Sequence, residues 1–403
     1  MTPGARAILA FTTTLLLAGA LRGADPVLFE PVVGGAAAPA AVKTSASSDA
    51  WPAWCGVKIL PQTPLPAARP AGQSFYTLID GERFAGMFEL GGARPTWRSS
   101  AFPSVPIDLE QARSIGPLQK ADAPVETRDA IVLVNGDRLE GFIDSMDAAT
   151  GVALEVAGAA PDDKSAKQVR RVPMDRIAEI RLATRTRPAQ GWRLWLADGS
   201  VIDADSWSDQ RNQCQLHKPH AVPEMESAMI PWSSVLAIAP NPAAVTALLR
   251  CPVKTQAVQG QPSPRLAPPA VESTYTPTAF DAAPMDLHGP GEFRFALPAG
   301  AAGGTLVATL TVPPHLRGEV SCRATIECGG TALWQGQLSP ASAETALRLP
   351  LSGDELLVRL DESRRGAFGC AVRLNGAVVI SGSCGSPAPS TTAPTSAPAG
   401  SAR

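Results

Sequence analysis

Three segments of the chain repeat one local pattern, and that repetition limits the fold more than any single residue does. Tyr76-x-Leu78-x-Asp80-Gly81, Ile131-x-Leu133-x-Asn135-Gly136 and Leu194-x-Leu196-x-Asp198-Gly199 each set alternating apolar residues before an Asx-Gly pair. Such a pair predicts a strand running into a hairpin whose glycine takes positive φ. The returning strands align as well: Phe84, Leu139 and Ile202 are apolar, and Gly86, Gly141 and Ala204 are small. A small residue there predicts a sharp bend that a longer side chain would obstruct. The next aligned set, Met87, Phe142 and Asp205, breaks in the third copy. Each copy closes on an apolar series, Ile107, Leu109, Ala112 and Ile115, then Val172, Met174, Ile177 and Ile180, then Ile230, Trp232, Val235 and Ile238. A self-similar unit of roughly 40 to 60 residues predicts an array of small modules, each one supersecondary unit.

The amino terminus carries Arg6, an apolar run from Ala7 to Ala18, and the small residues Ala18-Gly19-Ala20. Charge, apolar length and small-residue exit together predict a signal peptide over residues 1–24 and a secreted or periplasmic protein. The run is short of the ~20 apolar residues that cross a bilayer, and no later stretch predicts a transmembrane helix. Net charge is −2, with no run of Lys or Arg that would attract nucleic acid. Export permits disulfides among Cys55, Cys214, Cys251, Cys322, Cys328, Cys370 and Cys384. Cys322 and Cys328 lie near 20 Å apart along a strand at ~3.3 Å per residue, so each reaches a neighbouring strand rather than the other. Buried, reduced cysteines are the equal alternative.

Residues 25–72 are rich in Pro and Ala and predict a loosely draped leader, in which Trp51 and Trp54 dock on a neighbouring module. The three copies occupy residues 73–117, 127–184 and 190–240. Four or five short strands in each are what a small closed barrel needs. This order of apolar strand, turn glycine, bent return and short closing pair resembles Sm-like and SH3-like small β-barrels. The resemblance implies the barrel fold; the motifs with which Sm-like proteins bind RNA have no match here.

Residues 241–279 predict a short helix and a Pro-rich linker, and a second β region spans 280–385. Phe293 to Leu297, Thr305 to Val312, Glu319 to Glu327, Thr345 to Leu351, Leu356 to Leu360 and Ala371 to Ile380 read as strands, at the spacing of a β-sandwich. With Leu356-x-Val358-x-Leu360, Gly366 and Val372-x-Leu374, this segment resembles the galactose-binding-like jelly rolls of carbohydrate-binding modules on exported bacterial proteins. That resemblance implies aromatic side chains presented to sugar, for which Trp334, Phe368 and Tyr275 are available. Residues 386–403, of Ser, Thr, Pro and Ala, cannot bury a core and are expected to be disordered. The fold class is thus mainly β: three tandem small SH3/Sm-like barrels, then a jelly-roll sandwich.

Reactive groups are sparse. The nucleophile elbow, the phosphate-binding loop and the His-Glu-x-x-His pair are absent from the sequence. Cys214-x-x-His217-x-x-His220 has metal-ligand chemistry, but residues three apart on a strand face opposite ways, so no metal or other cofactor is expected. Asp203 and Asp205 share a strand face with Asp198 and Asp209 nearby; solvated acids on an exposed face explain them most simply. Trp195 and Trp232 sit at strand positions that predict core or inter-repeat packing, whereas Trp192 and Trp207 are candidate surface for glycan or peptide. The expected function is a non-catalytic binding or interaction protein of the cell envelope, with a glycan or an envelope protein as partner. An enzyme using Asp203, Asp205, His217 or His220 between modules is the alternative, and a purely structural component the third.

Overall fold

The computed structural model describes residues 28–32, 56–60, 73–89, 95–118, 126–147, 150–156, 168–210, 213–257, 269–273, 277–316, 320–339, 341, 344–362 and 369–382. The expected signal peptide, most of the leader, the tail, Trp51, Trp54, Cys55, Tyr275, Phe368 and Cys384 lie outside them.

A hairpin of β1 (Leu28–Val32) and β2 (Gly56–Leu60) precedes the first unit. That unit consists of β3 (Ser74–Leu78), β4 (Arg83–Glu89), β5 (Thr96–Ser99), β6 (Val105–Pro106) and β7 (Ala112–Gly116). The second has β8 (Asp129–Leu133), β9 (Arg138–Asp147), β10 (Gly151–Val156), β11 (Gln168–Val172) and β12 (Ile177–Arg181). The third has β13 (Trp192–Leu196), β14 (Val201–Gln210), β15 (Gln213–Pro219), β16 (Ser227–Pro231) and β17 (Val235–Ala239). In each unit the first strand pairs with both the second and the fifth, giving a spatial order fifth, first, second, third, fourth.

The three Asx-Gly turns are the same object three times. Gly81, Gly136 and Gly199 have φ of 89°, 89° and 88°, a region open to glycine at little cost. Their N–H groups donate to Leu78, Leu133 and Leu196 carbonyls, while the Asp80, Asn135 and Asp198 side chains accept from the N–H two residues on, in Glu82, Asp137 and Ser200. At the small aligned position a longer side chain is obstructed, as expected, in the first two units. A Cβ on Gly86 would lie 2.1 Å from the Arg98 carbonyl oxygen, and one on Gly141 2.3 Å from that of Glu155.

No closed barrel forms among the described residues, contrary to the sequence expectation. The fifth strand, whose free edge would close the unit onto its fourth, is engaged elsewhere. β7 and β12 pair with each other through the equivalent Ile115 and Ile180, and β17 takes β2 through Ile238 and Val57. With a contact of β4 on β14 at Arg83 and Val201, these pairings join the units into one continuous sheet system. One apolar cluster runs through all three, including Tyr76, Phe84, Trp97, Ile131, Leu154, Ile180, Leu194 and Trp207. Burying each large apolar side chain contributes roughly 1.5–3 kcal/mol.

The carboxyl-terminal part is a two-sheet sandwich, and it recruits the segment expected as helix and linker. Instead of a helix, Pro242–Ala244 and Leu248–Arg250 form 3-10 turns around β18 (Val245–Ala247). Then come β19 (Val253–Gln256), β20 (Ala270–Ser273), β21 (Met285–His288), β22 (Gly291–Ala296), β23 (Thr305–Thr311), β24 (Cys322–Cys328), β25 (Thr331–Leu338), β26 (Thr345–Pro350), β27 (Glu355–Glu362) and β28 (Ala371–Ile380). One sheet runs β20-β21-β28-β23-β26 with β18 also on β28, and the other β19-β22-β27-β24-β25. Phe293, Phe295, Leu306, Leu310, Val358, Leu360, Val372 and Leu374 fill the space between. β18, β19 and β20 are short edge additions, which a Pro-rich segment can supply because an edge strand leaves one row of its backbone groups unpaired.

Candidate functional site

Among the described residues a buried set of charged groups lies where the first unit, the third unit and the sandwich meet, and two of the repeated hairpins build it. β4 and β14 approach antiparallel at Arg83 and Val201, so the residue after each turn glycine points into the other unit. Glu82 Oε1 accepts from the Asp203 N–H at 2.7 Å, and Ser200 Oγ accepts from the Ala85 N–H at 3.0 Å. Glu82 aligns with Ser200 and Ala85 with Asp203, so the exchange is reciprocal. A second reciprocal pair surrounds it: Arg193 Nη2 donates to the Asp80 carbonyl and Gln73 Nε2 to that of Asp198. The first and third units therefore dock with near two-fold symmetry.

The symmetry breaks in its charges. Arg193 holds Asp203 in a two-bonded fork, both distances 2.7 Å, and Asp80, Glu82 and Asp203 bring carboxylate oxygens within 4.8 Å of one another. Burial raises the Glu82 carboxyl well above the usual range, and the Asp203 charge raises it further. Burial also raises Asp203, against the pull of Arg193. Arg193 spans Asp203 and favours its charged form, while burial favours the protonated form of Glu82. The triad has the oxygen donors a hard cation takes, but Arg193 already engages both Asp203 oxygens and supplies the positive charge such an ion would bring.

Arg83 crosses from the first unit to the other two. Its Nε donates to the Gly199 carbonyl at 2.7 Å, and its two Nη groups bind both oxygens of Asp281, which Arg250 also contacts at 2.8 Å. Burial would raise the Asp281 carboxyl, but the Arg83 and Arg250 charges outweigh it and lower it to about 2. Beside this pair Phe280 sets its ring edge-on to Trp195 of β13, centroids 5.1 Å apart. Trp195, Val201, Leu236, Val245, Phe280, Val378 and Ile380 form an apolar seam between the third unit and the sandwich.

The residues singled out in the sequence fall elsewhere. Trp207 is buried in the core, edge-on to Trp192 at 5.9 Å and to Trp232 at 5.6 Å, so it presents no surface, and Trp192 is half-buried against it. Trp232 donates to Asp209 at 2.8 Å. Trp195 is buried, but in the seam against Phe280 of the carboxyl-terminal part rather than in its own unit's core or between repeats. Cys214 faces the core, where burial pushes its thiol well above the usual range, whereas His217 meets Ser208 at 3.0 Å and His220 meets Asp205 at 3.0 Å. These three do not converge on a metal. Asp205 is exposed as expected, but Asp203 is not, because the first unit covers it. Glu82, Arg83, Arg193 and Asp281 were missed, since nothing local distinguishes them; only the position after the turn glycine, shared by Glu82 and Ser200, was a signal.

On the sandwich, Trp334 lies on the edge strand β25, half-buried, paired with Ile326 of β24. Its indole extends over Gly336, where a Cβ would come within 2.6 Å of Cζ2. β25 and β26 are the outer strands of the two sheets and meet; the half-buried ring packs against the core, with Gln335 and Gln337 exposed at alternate positions.

No family model matches the chain. No curated protein matches it either. Among solved structures it is similar to a family 51 carbohydrate-binding module of GH95 from Clostridium perfringens, bound to methyl-galactose. That match has 9% identity and a TM-score of 0.24, covering 31% of this chain and 92% of that one. It is similar also to the CBM51-2 and INT domains of Clostridium perfringens ZmpB, at 9% identity and a TM-score of 0.27, covering 45% of this chain and 36% of that one. Tandem modules of a family 98 glycoside hydrolase from Streptococcus pneumoniae SP3-BS71 match at 10% identity and a TM-score of 0.25, over 76% of this chain and 88% of theirs.

Proposed function

We propose that this chain is an exported, non-catalytic binding protein of the cell envelope whose sandwich takes a carbohydrate at the margin between β25 and β26. The observation that carries the reading is the Trp334 indole, held over Gly336 at that margin and half-buried. A rigid aromatic face stacks on the C–H face of a pyranose at small entropic cost, and polar neighbours then fix its orientation. The three β units, in this reading SH3- or Sm-like barrels opened by their neighbours, form a spacer and docking surface. Their strand order, with the first strand between the second and the fifth, supports that likeness. The apolar run after Arg6 supports export.

Calorimetric titration of the chain from residue 25 onward with methyl glycosides and soluble polysaccharides tests the sugar site. Saturable binding is expected, weakened at least tenfold by Trp334→Ala, a loss of about 1.4 kcal/mol or more, with the melting temperature kept. Heat signals absent for every glycan, or unchanged by the substitution, would remove carbohydrate from this site and leave protein interaction or a structural role.

A further inference from the structure

Cys322 and Cys370 come together from opposite sheets of the sandwich. Cys322 opens β24, while Cys370 directly precedes β28 in the other sheet. The backbones touch at this point, since the Ser321 N–H donates to the Gly369 carbonyl at 3.3 Å. Cys322 Sγ lies 3.8 Å from the Ala371 carbonyl oxygen, and Cys370 Sγ lies 3.6 Å from that of Asp361. Asp361 is next to Glu362, the residue paired with Cys322, so both sulfurs occupy the same few ångströms. The Cys370 side chain faces the Cys322 thiol, and both residues are buried. Cys328, at the other end of β24, instead contacts the Gly353 carbonyl at 3.9 Å. A disulfide requires Cα atoms roughly 4.4–6.8 Å apart, and the backbone hydrogen bond here joins the residues that immediately precede the two cysteines.

We propose that Cys322 and Cys370 form a disulfide that staples the two sheets of the sandwich, with a disulfide of the glutathione class as the oxidant. The Cys322 thiolate attacks one sulfur of the oxidant, an S–S bond breaks, and one reduced thiol leaves. The Cys370 thiolate then attacks the Cys322 sulfur of the mixed disulfide, and the second reduced thiol leaves. Two protein thiols have lost two protons and two electrons, and one oxidant disulfide has become two thiols. The Cys370 side chain lowers the Cys322 thiol's pKa, which favours Cys322 as first attacker. Because both sulfurs are buried, exchange belongs to folding or transient opening, and the finished bond is shielded from reductant. The closed loop contains β24, β25, β26 and β27, four of the sandwich's eleven strands, so the staple constrains that part of the unfolded chain.

The pairing is tested on the full chain, purified under reducing conditions and refolded with either reduced or mixed reduced and oxidised glutathione. Quenching with an alkylating agent, digestion and peptide mass mapping then read the cysteines. The expected result is one linked peptide joining Cys322 to Cys370, present only in the oxidised sample, with a melting temperature raised by roughly 5–10 °C. A Cys322→Ser/Cys370→Ser variant is expected to lose the redox dependence of melting. Full alkylation of both cysteines after oxidative refolding, or a linked peptide joining either to a different cysteine, would overturn the proposal. This outcome is independent of export and of sugar binding, because the oxidant is supplied in the buffer.

Discussion

Phe280 and Asp281 hold φ of 59° and 58°, a left-handed conformation that costs a residue with a side chain roughly 1–3 kcal/mol. They persist in it because the Phe280 ring is pinned on Trp195 and the Asp281 carboxylate lies between Arg83 and Arg250. Gly56 leaves the room: a Cβ there would come within 2.9 Å of the Phe280 ring. Removing one member of a buried ion pair strands the other, so Asp281→Ala is expected to lower stability by about 3–5 kcal/mol in urea titration. Asp205→Ala, which breaks an exposed pair with His220, is expected to cost about 0–1 kcal/mol by the same measurement. pH separates the two buried carboxyls. Asp281 titrates below its ordinary value, so its stabilisation is complete above ~4 and is lost as pH falls toward 2. Glu82 titrates above its ordinary value; the folded state keeps a proton the unfolded chain releases, and stability declines as pH rises beyond ~4.5. Melting curves from pH 4 to 9 are expected to show that decline in the native chain and a flatter profile for Glu82→Gln. None of this was legible in sequence, because a carboxyl's burial is set here by a unit more than a hundred residues away.

At the scale of strands and turns the sequence is far more explicit. The Asx-Gly pairs and the closing isoleucines recur in register in all three units, and the glycine of the returning strand is sterically required in the first two. The two kinds of glycine are expected to differ on substitution. Gly141→Ala forces a Cβ against the Glu155 carbonyl at 2.3 Å and breaks the β9–β10 pairing, for a loss of about 1–3 kcal/mol or more in denaturant titration. Gly136→Ala meets nothing within 4 Å and pays only for its positive φ, about 1–2 kcal/mol. β1, β2, β18, β19 and β20 were not legible. They are three to five residues long, lie in segments rich in Pro and Ala, and become strands only because a sheet edge is there to receive them.

For the whole molecule, an array of independent closed barrels and a chain of units sharing their edges have nearly the same sequence pattern. Closure depends on what the fifth strand's outer edge meets, and β7, β12 and β17 each meet another segment. The sandwich's margin at Trp334 was visible as an aromatic in a β-rich segment; its place on an edge strand required the sheet order. The first and third units dock by exchanging hydrogen bonds, Glu82 accepting from the Asp203 N–H and Ser200 from the Ala85 N–H. Amide hydrogen exchange read at Ala85 and Asp203 tests it most directly. Both amides are expected to exchange as slowly as those of β8 and β13, with Ser200→Ala accelerating Ala85 while leaving β8 unchanged. Exchange at Ala85 and Asp203 as fast as in an open loop would contradict the docking.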